Sequence, residues 1–297
     1  MTRIRSRNPV PLACLLFFCW ALIVAAGAQS TARQAPTRKT PSTPSPQNAV
    51  AVPSPPAQHV LEARQIKAPS AAYHFPNGQT LHYQAEWRLF SAGTASIRME
   101  SAGREQRIVA TADAIGAVGL LYHVQDRIET FIDPKTFCAL TLHKHTEEGL
   151  RRLETEVTFD QARNKSVLSE KNLRNQESKR QENDTPGCVE DVLSAIYYVA
   201  SLPLAPGTVH HFPMNDGGKT TEVRVTVESR EEVKTPAGTF KTVRVQPTAE
   251  SGLIKNRGQI WVWYSDDAAH IPVQMKARLF WGTLGFQLQK IDLQPQR

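Results

Sequence analysis

Adjacent carboxylates are the first groups in this sequence that could act on a substrate. They occur at Glu147-Glu148, Glu231-Glu232 and Asp266-Asp267. Glycoside hydrolases work with two carboxyl groups several ångströms apart, one acting as acid and the other as base or nucleophile. Asp266-Asp267 fits that chemistry best, because His270 follows near the same turn. A pair of acids at a strand end is also what a solvated turn looks like, so an envelope hydrolase using Asp266, Asp267 and His270 is one reading among several. Histidines come next. His143 and His145 share one face of a strand, but Cys138 has the opposite parity and sides with Leu140 and Leu142. His210 and His211 are adjacent and diverge on a strand. Zinc needs three or four convergent ligands, so no metal site and no cofactor are expected. Gly217-Gly218-Lys219-Thr220 echoes the end of a phosphate-binding loop without its first glycine and reads as a hairpin turn. No Gly-x-Ser-x-Gly elbow and no dinucleotide fingerprint occur, and no motif names a reaction.

Aromatic side chains offer a different kind of site. Trp87, Trp261, Trp263 and Trp281 fall near strand ends or turns, and Tyr197 falls on a short apolar helix. Large rings are ordinary core material. The same rings could instead line a cavity in a curved sheet and hold an apolar or amphipathic ligand such as a lipid.

The elements that position these groups alternate with period two. Leu81, Tyr83, Ala85, Trp87 and Leu89 interleave with His82, Gln84, Glu86 and Arg88. Leu153, Thr155, Val157 and Phe159 do so with Arg152, Glu154, Glu156 and Asp160, and further alternating runs are found at 222–228 and 271–279. One face of each run goes to a core and the other to water, the pattern of antiparallel sheet. Weaker runs near 94–101, 106–114, 123–132, 137–146, 164–171, 208–214, 239–248, 258–265 and 284–292 bring the count to about a dozen strands. Turn residues such as Pro76-Asn77-Gly78, Asp133-Pro134 and Asp216-Gly217-Gly218 separate them. The fold expected over residues 73–297 is therefore one mainly β domain, a large antiparallel meander forming a curved or half-closed barrel-like sheet. One segment breaks the period: Val192, Ala195, Ile196 and Val199 share a helical face, with Thr185-Pro186 as a start signal and Pro203 and Pro206-Gly207 as stops. The charged stretch Glu170 to Asp184 reads as an exposed loop before that helix.

Residues 1–28 have the layout of an export signal. Arg3, Arg5 and Arg7 precede an apolar run from Leu12 to Val24, and Ala26-Gly27-Ala28 offers a cleavage site. The run is short for a bilayer span, so membrane contact is expected only if this signal stays uncleaved. Residues 29–72 hold eight prolines and no aromatic residue, the composition of a disordered linker. Export would take the protein to the periplasm or cell envelope. Removal of the signal leaves two cysteines, Cys138 and Cys188, which either pair as a disulfide or stay as separately buried thiols. The formal charge of +7 does not support nucleic-acid binding. Three arginines before residue 29, and five basic residues against Glu62 in 29–72, account for all of it, so the folded part is neutral.

Several of these segments together resemble a bacterial family of exported proteins, the domain of unknown function 3108. They are Leu81-His82-Tyr83-Gln84-Ala85-Glu86-Trp87 leading to Ala92-Gly93, Tyr122-His123-Val124-Gln125-Asp126 leading to Ile132-Asp133-Pro134, the helix Asp191 to Tyr198, Thr235-Pro236-Ala237-Gly238-Thr239-Phe240, and Ile260-Trp261-Val262-Trp263-Tyr264-Ser265-Asp266-Asp267 before Ile271-Pro272-Val273. The resemblance implies export and a mostly β fold and assigns no catalytic residue. The leading expectation is an exported, non-enzymatic binding module holding a lipid or other apolar ligand. A periplasmic scaffold docking a protein partner is the second reading, and the hydrolase is the third.

Overall fold

The computed structural model describes residues 66–70, 72–88, 90–249, 258–279 and 282–294. The expected signal (1–28) and residues 29–65 of the expected linker lie outside the described residues. Fourteen strands follow one another: β1 (Gln79–Trp87), β2 (Phe90–Ala102), β3 (Glu105–Ala114), β4 (Gln125–Ile132), β5 (Ala139–Glu148), β6 (Arg151–Asp160), β7 (Lys165–Asn172), β8 (Ser178–Asp184), β9 (Val209–Asn215), β10 (Thr220–Thr235), β11 (Gly238–Ala249), β12 (Gln259–Ser265), β13 (Pro272–Leu279) and β14 (Gly282–Leu293). Among the described residues two short helices interrupt them, α1 (Gly116–Leu121) between β3 and β4, and α2 (Ser194–Ala200) between β8 and β9.

All fourteen strands form one antiparallel sheet in the order β8-β7-β6-β5-β4-β3-β2-β1-β14-β13-β12-β11-β10-β9. Two meanders are thus joined where the first strand meets the last, with Leu81 opposite Ile291 and Ala85 opposite Phe286. The middle of the chain, residues 185–208, is left to span from one edge of the sheet to the other. Twisted sheets of this many strands curl, and the spanning segment records the curl. Thr130 on β4 donates to Asp191, Tyr264 on β12 donates to the Ile196 carbonyl, and Tyr198 stacks edge-on against Phe212 of β9 at 5.0 Å. Strands from both halves of the sheet therefore close on the spanning segment that carries α2. The two edges β8 and β9 do not pair with each other, so the barrel-like sheet stays open.

The core lies on the face that holds α2. Leu81, Tyr83, Ile97, Ile108, Leu142, Val157, Val225, Val243, Val273 and Leu288 alternate inward from successive strands. A run of rings, Tyr73, Phe75, Phe137, Tyr198 and Phe212, crosses it with centroids 5.0–6.0 Å apart. Cys138 and Cys188 are joined, which fastens the spanning segment to the start of β5, where the Ala139 amide also donates to the Val189 carbonyl.

Three local expectations differ from what the chain does. The start of α2 is served by Asp191 rather than Thr185. Asp191 Oδ1 accepts the amides of Leu193 (2.7 Å) and Ser194 (3.0 Å), while the Thr185 hydroxyl is buried and accepts no amide among the described residues. The stretch Glu170 to Asp184 is not a loop: it holds the end of β7 and all of β8, an edge strand whose exposed face hides its period. The helix α1 has no sequence signal of its own, since its N-terminal residue makes no capping bond and none of its residues is buried. Within the expected linker, Ile66 packs on the core and the Lys67 amide donates to the Tyr198 hydroxyl.

Candidate functional site

The acidic turn after β12 is built from its own side chains. Asp267 Oδ1 accepts from the Ser265 hydroxyl (2.8 Å) and the Ala269 amide (3.0 Å). Asp266 Oδ2 pairs with Arg230. His270, held at a φ of 40°, turns its Nδ1 to the Ala200 carbonyl at the end of α2, 2.7 Å away. Asp266, Asp267 and His270 are thus brought to one turn, and each has one polar atom engaged in fixing that turn or tying it to β10 and α2. The histidines are similarly occupied: His145 lies between Glu154 and Glu147, His211 pairs with Glu222, and His210 meets the Pro203 carbonyl. Among the described residues no group of three or more His, Cys, Asp or Glu side chains is arranged to hold a metal ion.

Among the described residues, the aromatic candidates do not converge on one cavity. Tyr197 is buried in α2 and its hydroxyl finds no partner among the described residues. Trp261 and Trp263 point away from α2, because Val262 and Tyr264 take the inward positions of β12. The Trp263 indole donates to Glu231 and lies under Lys276, and Trp261 lies under Arg278. Trp87 ends β1 on the inward side, opposite Leu284 and Phe90, with Arg88 against its ring. Trp281 lies outside the described residues.

Residues that were not singled out from the sequence form an inward polar patch instead. Lys144, Thr155 and Glu170 sit abreast on β5, β6 and β7 in the same phase as Leu142, Val157 and Leu168. Lys144 is 4% exposed and donates to the Asp216 carbonyl at 3.1 Å. Burial pulls its ammonium down to about 8 against the opposing pull of the Asp216 and Asp191 carboxylates. Burial likewise raises Glu170 and Asp126. Beside the patch, Asn215 Nδ2 donates to Ser166 Oγ, and Gly217, at a φ of 99°, lies against Val157 and Leu168. The β9–β10 turn is therefore clamped onto β5, β6 and β7 across the open side of the sheet. Glu190 is fully buried, and neither carboxyl oxygen has a hydrogen-bond partner among the described residues. Burial raises it well above the ordinary carboxyl range. A charged residue in the inward phase of an alternating strand is the signal that marks Lys144 and Glu170 in the sequence.

The other unusual surface is apolar. At one end of the sheet, where β1 turns into β2, β3 passes through α1 into β4, and β5 turns into β6, large aliphatic and aromatic side chains face solvent. Leu120 is 91% exposed, Leu150 78%, Leu121 71% and Phe90 67%. The three turns adjoin: the Ile115 amide donates to Ala92, the Gly149 amide donates to His123, and the Tyr122 ring lies beneath Gly149. Trp87 stands at the same end, paired with Phe90. A depression of about 390 Å³ on β5–β8 is polar by contrast, lined by His143, Glu156, Lys171 and Arg180 among others. No helix among the described residues is long and apolar enough to cross a membrane.

The sheet is similar to that of a β-barrel-like protein of domain of unknown function DUF1849 from Brucella abortus, with a TM-score of 0.50, 10% identity, and coverage of 73% of this chain and 98% of that one. This likeness concerns the fold alone. Two weaker likenesses carry no argument: a protein from Bacteroides fragilis described as exported with a YmcC-like fold (TM-score 0.33, 11% identity, 75% and 100% coverage), and one from Parabacteroides distasonis described as a lipoprotein (TM-score 0.34, 11% identity, 77% and 100% coverage). No curated protein matches the chain. A family model matches residues 82–289, from β1 to β14, so the chain belongs to the family of proteins of unknown function DUF3108.

Proposed function

We propose that this protein is an exported, non-enzymatic binding module of the cell envelope that holds a lipid or other amphipathic ligand against its apolar rim. The exposure of Leu120, Leu121, Leu150 and Phe90 at three adjoining turns is the observation that carries this reading. Contiguous exposed apolar patches mark interaction surfaces, whereas singly exposed apolar side chains are ordinary. The rim takes the place of the aromatic-lined cavity expected from the sequence, since α2 and the ring stack occupy the inward face of the sheet. Export rests on the arginines and apolar run of residues 1–28. Asp266 and Asp267 at their turn, and Lys144 on β5, are engaged in holding turns in place, which favours binding over turnover.

Native mass spectrometry of the protein recovered from the envelope fraction without detergent tests this. A discrete extra mass, removed by organic solvent and identified by fragmentation as an amphiphile, is the expected result. A bare polypeptide mass that stays bare after incubation with phospholipid and fatty-acid mixtures would overturn the reading.

A further inference from the structure

Among the described residues, β8 is an edge of the sheet and pairs only with β7. Its residues Ser178-Lys179-Arg180-Gln181-Glu182-Asn183-Asp184 are exposed or half-buried throughout. The direction of its backbone follows from the bonds that flank the ladder: Asn172 N–H donates to Glu177 and Thr185 N–H donates to Asn164. Antiparallel pairs alternate between those that exchange hydrogen bonds and those that do not. Residues 177, 179, 181 and 183 therefore turn their N–H and C=O groups to β7. Residues 178, 180, 182 and 184 turn theirs outward.

Charge along the same strand is divided. Lys179 and Arg180 occupy the first half, Glu182 and Asp184 the second, and Gln181 stands between them. We propose that the β8 edge pairs with the β8 edge of a second copy of this chain, antiparallel about a twofold axis through Gln181. In that register residue 180 meets 182 of the other copy and 178 meets 184. Every outward N–H and C=O group faces another outward group, and Arg180 lies opposite Glu182 twice, once on each side of the axis. Backbone direction and charge pattern were set by different features of the strand, and they select the same register. The pairing is isologous and self-complementary, as a closed dimer requires. It is edge addition of the kind that joins strands between chains.

Charge on an edge strand ordinarily blocks pairing. Here it blocks a parallel copy, which would set Arg180 against Arg180 and Glu182 against Glu182, while favouring the antiparallel one. Arg180 is available for this, since among the described residues its guanidinium reaches only Ser169, at 3.4 Å. Glu182 is steadied by Arg163 and Lys165 on its own chain. A seven-residue ladder is smaller than a standard stable interface, so the dimer is weak and salt-sensitive. The inference does not rest on the apolar rim.

Sedimentation velocity of the purified full chain, over a concentration series at low and high salt, tests it. The expected result is a monomer–dimer equilibrium that weakens with salt. Arg180→Glu should weaken it about tenfold or more, because two favourable cross-strand pairs become two repulsive ones. Arg180→Glu combined with Glu182→Arg should recover part of it, since the opposing charges across the axis are again matched while the pairing of position 182 with Arg163 and Lys165 is lost. Both positions are exposed, and circular dichroism checks that the fold is unchanged. For a dimer too weak to sediment, Gln181→Cys provides the second measurement. Residues on the axis form a pair without hydrogen bonds, about 4.5 Å apart at Cα, within disulfide reach. Gln181→Cys should cross-link under mild oxidation much faster than Ser178→Cys, which lies far from its own copy. A wild-type monomer at every concentration together with equal cross-linking of the two cysteine variants would overturn the proposal. A dimer indifferent to Arg180→Glu would overturn it equally.

Discussion

Replacing Asp191 by alanine removes the acceptor on which the spanning segment turns. Asp191 is fully buried. Its Oδ1 takes the Leu193 and Ser194 amides, and its Oδ2 takes the Thr130 hydroxyl from β4. Thr130 can redirect its proton to the Thr141 carbonyl, 3.0 Å away, so the two amides carry the loss. Each stranded buried donor costs about 1–3 kcal/mol, which puts Asp191→Ala, with two stranded amides, at about 2–6 kcal/mol. Domains of this size have total stabilities of about 5–15 kcal/mol, so the loss is a large fraction. Asp191→Asn keeps one carbonyl oxygen for the same amides, and asparagine is as good a cap as aspartate, so it should lose no more than about 1 kcal/mol. Urea unfolding at pH 7 with the disulfide intact measures both, read as a shift in midpoint at constant slope. Alanine costing less than about 1 kcal/mol, or asparagine costing as much as alanine, would refute the capping argument.

Two further outcomes follow from the same segment. Burial raises the Glu190 carboxyl, so the folded state favours its proton. Stability should therefore fall as pH rises from the ordinary glutamate range through the raised folded value, the reverse of a salt-bridged acid. Glu190→Gln should leave stability unchanged near pH 4 and raise it at pH 8, as read by denaturant unfolding across that range, and equal pH profiles for the two proteins would contradict this. The Cys138–Cys188 bond closes a loop with a sequence separation of 50, worth about 4 kcal/mol in the chain-entropy model. Replacing both cysteines by serine should lower the unfolding midpoint accordingly while far-ultraviolet circular dichroism stays the same, and an unchanged midpoint would count against it.

Most of the sheet was legible because a strand with one wet face writes its period into the sequence. Leu153 to Phe159 on β6 and Val223 to Val227 on β10 alternate as they must when one side is core. β8 was illegible for the corresponding reason: at the edge, both faces of Ser178 to Asp184 see solvent and no apolar phase exists. The pairing of β1 with β14 is a long-range fact that no local pattern carries. The site was harder to read. Trp261 and Trp263 were visible as aromatics sharing a face, but the face itself is set by Tyr264 meeting α2, which only the curl of the sheet decides. The apolar rim falls in turns, where hydrophobic residues have no period to violate. Leu120 and Leu121 read as ordinary apolar residues until α1 is seen to bury none of its side chains.

The claim that the rim binds an amphiphile is tested most directly by titrating the protein with a fluorescent fatty acid, alongside the Leu120→Ser/Leu121→Ser/Leu150→Ser variant. Burying a leucine side chain contributes about 1.5–3 kcal/mol, so even partial burial of three should separate the affinities by at least about tenfold. Saturable binding by the wild type, weakened that much in a variant of equal or higher thermal stability, is the predicted result. Equal binding by the two proteins, or none by the wild type, would contradict it.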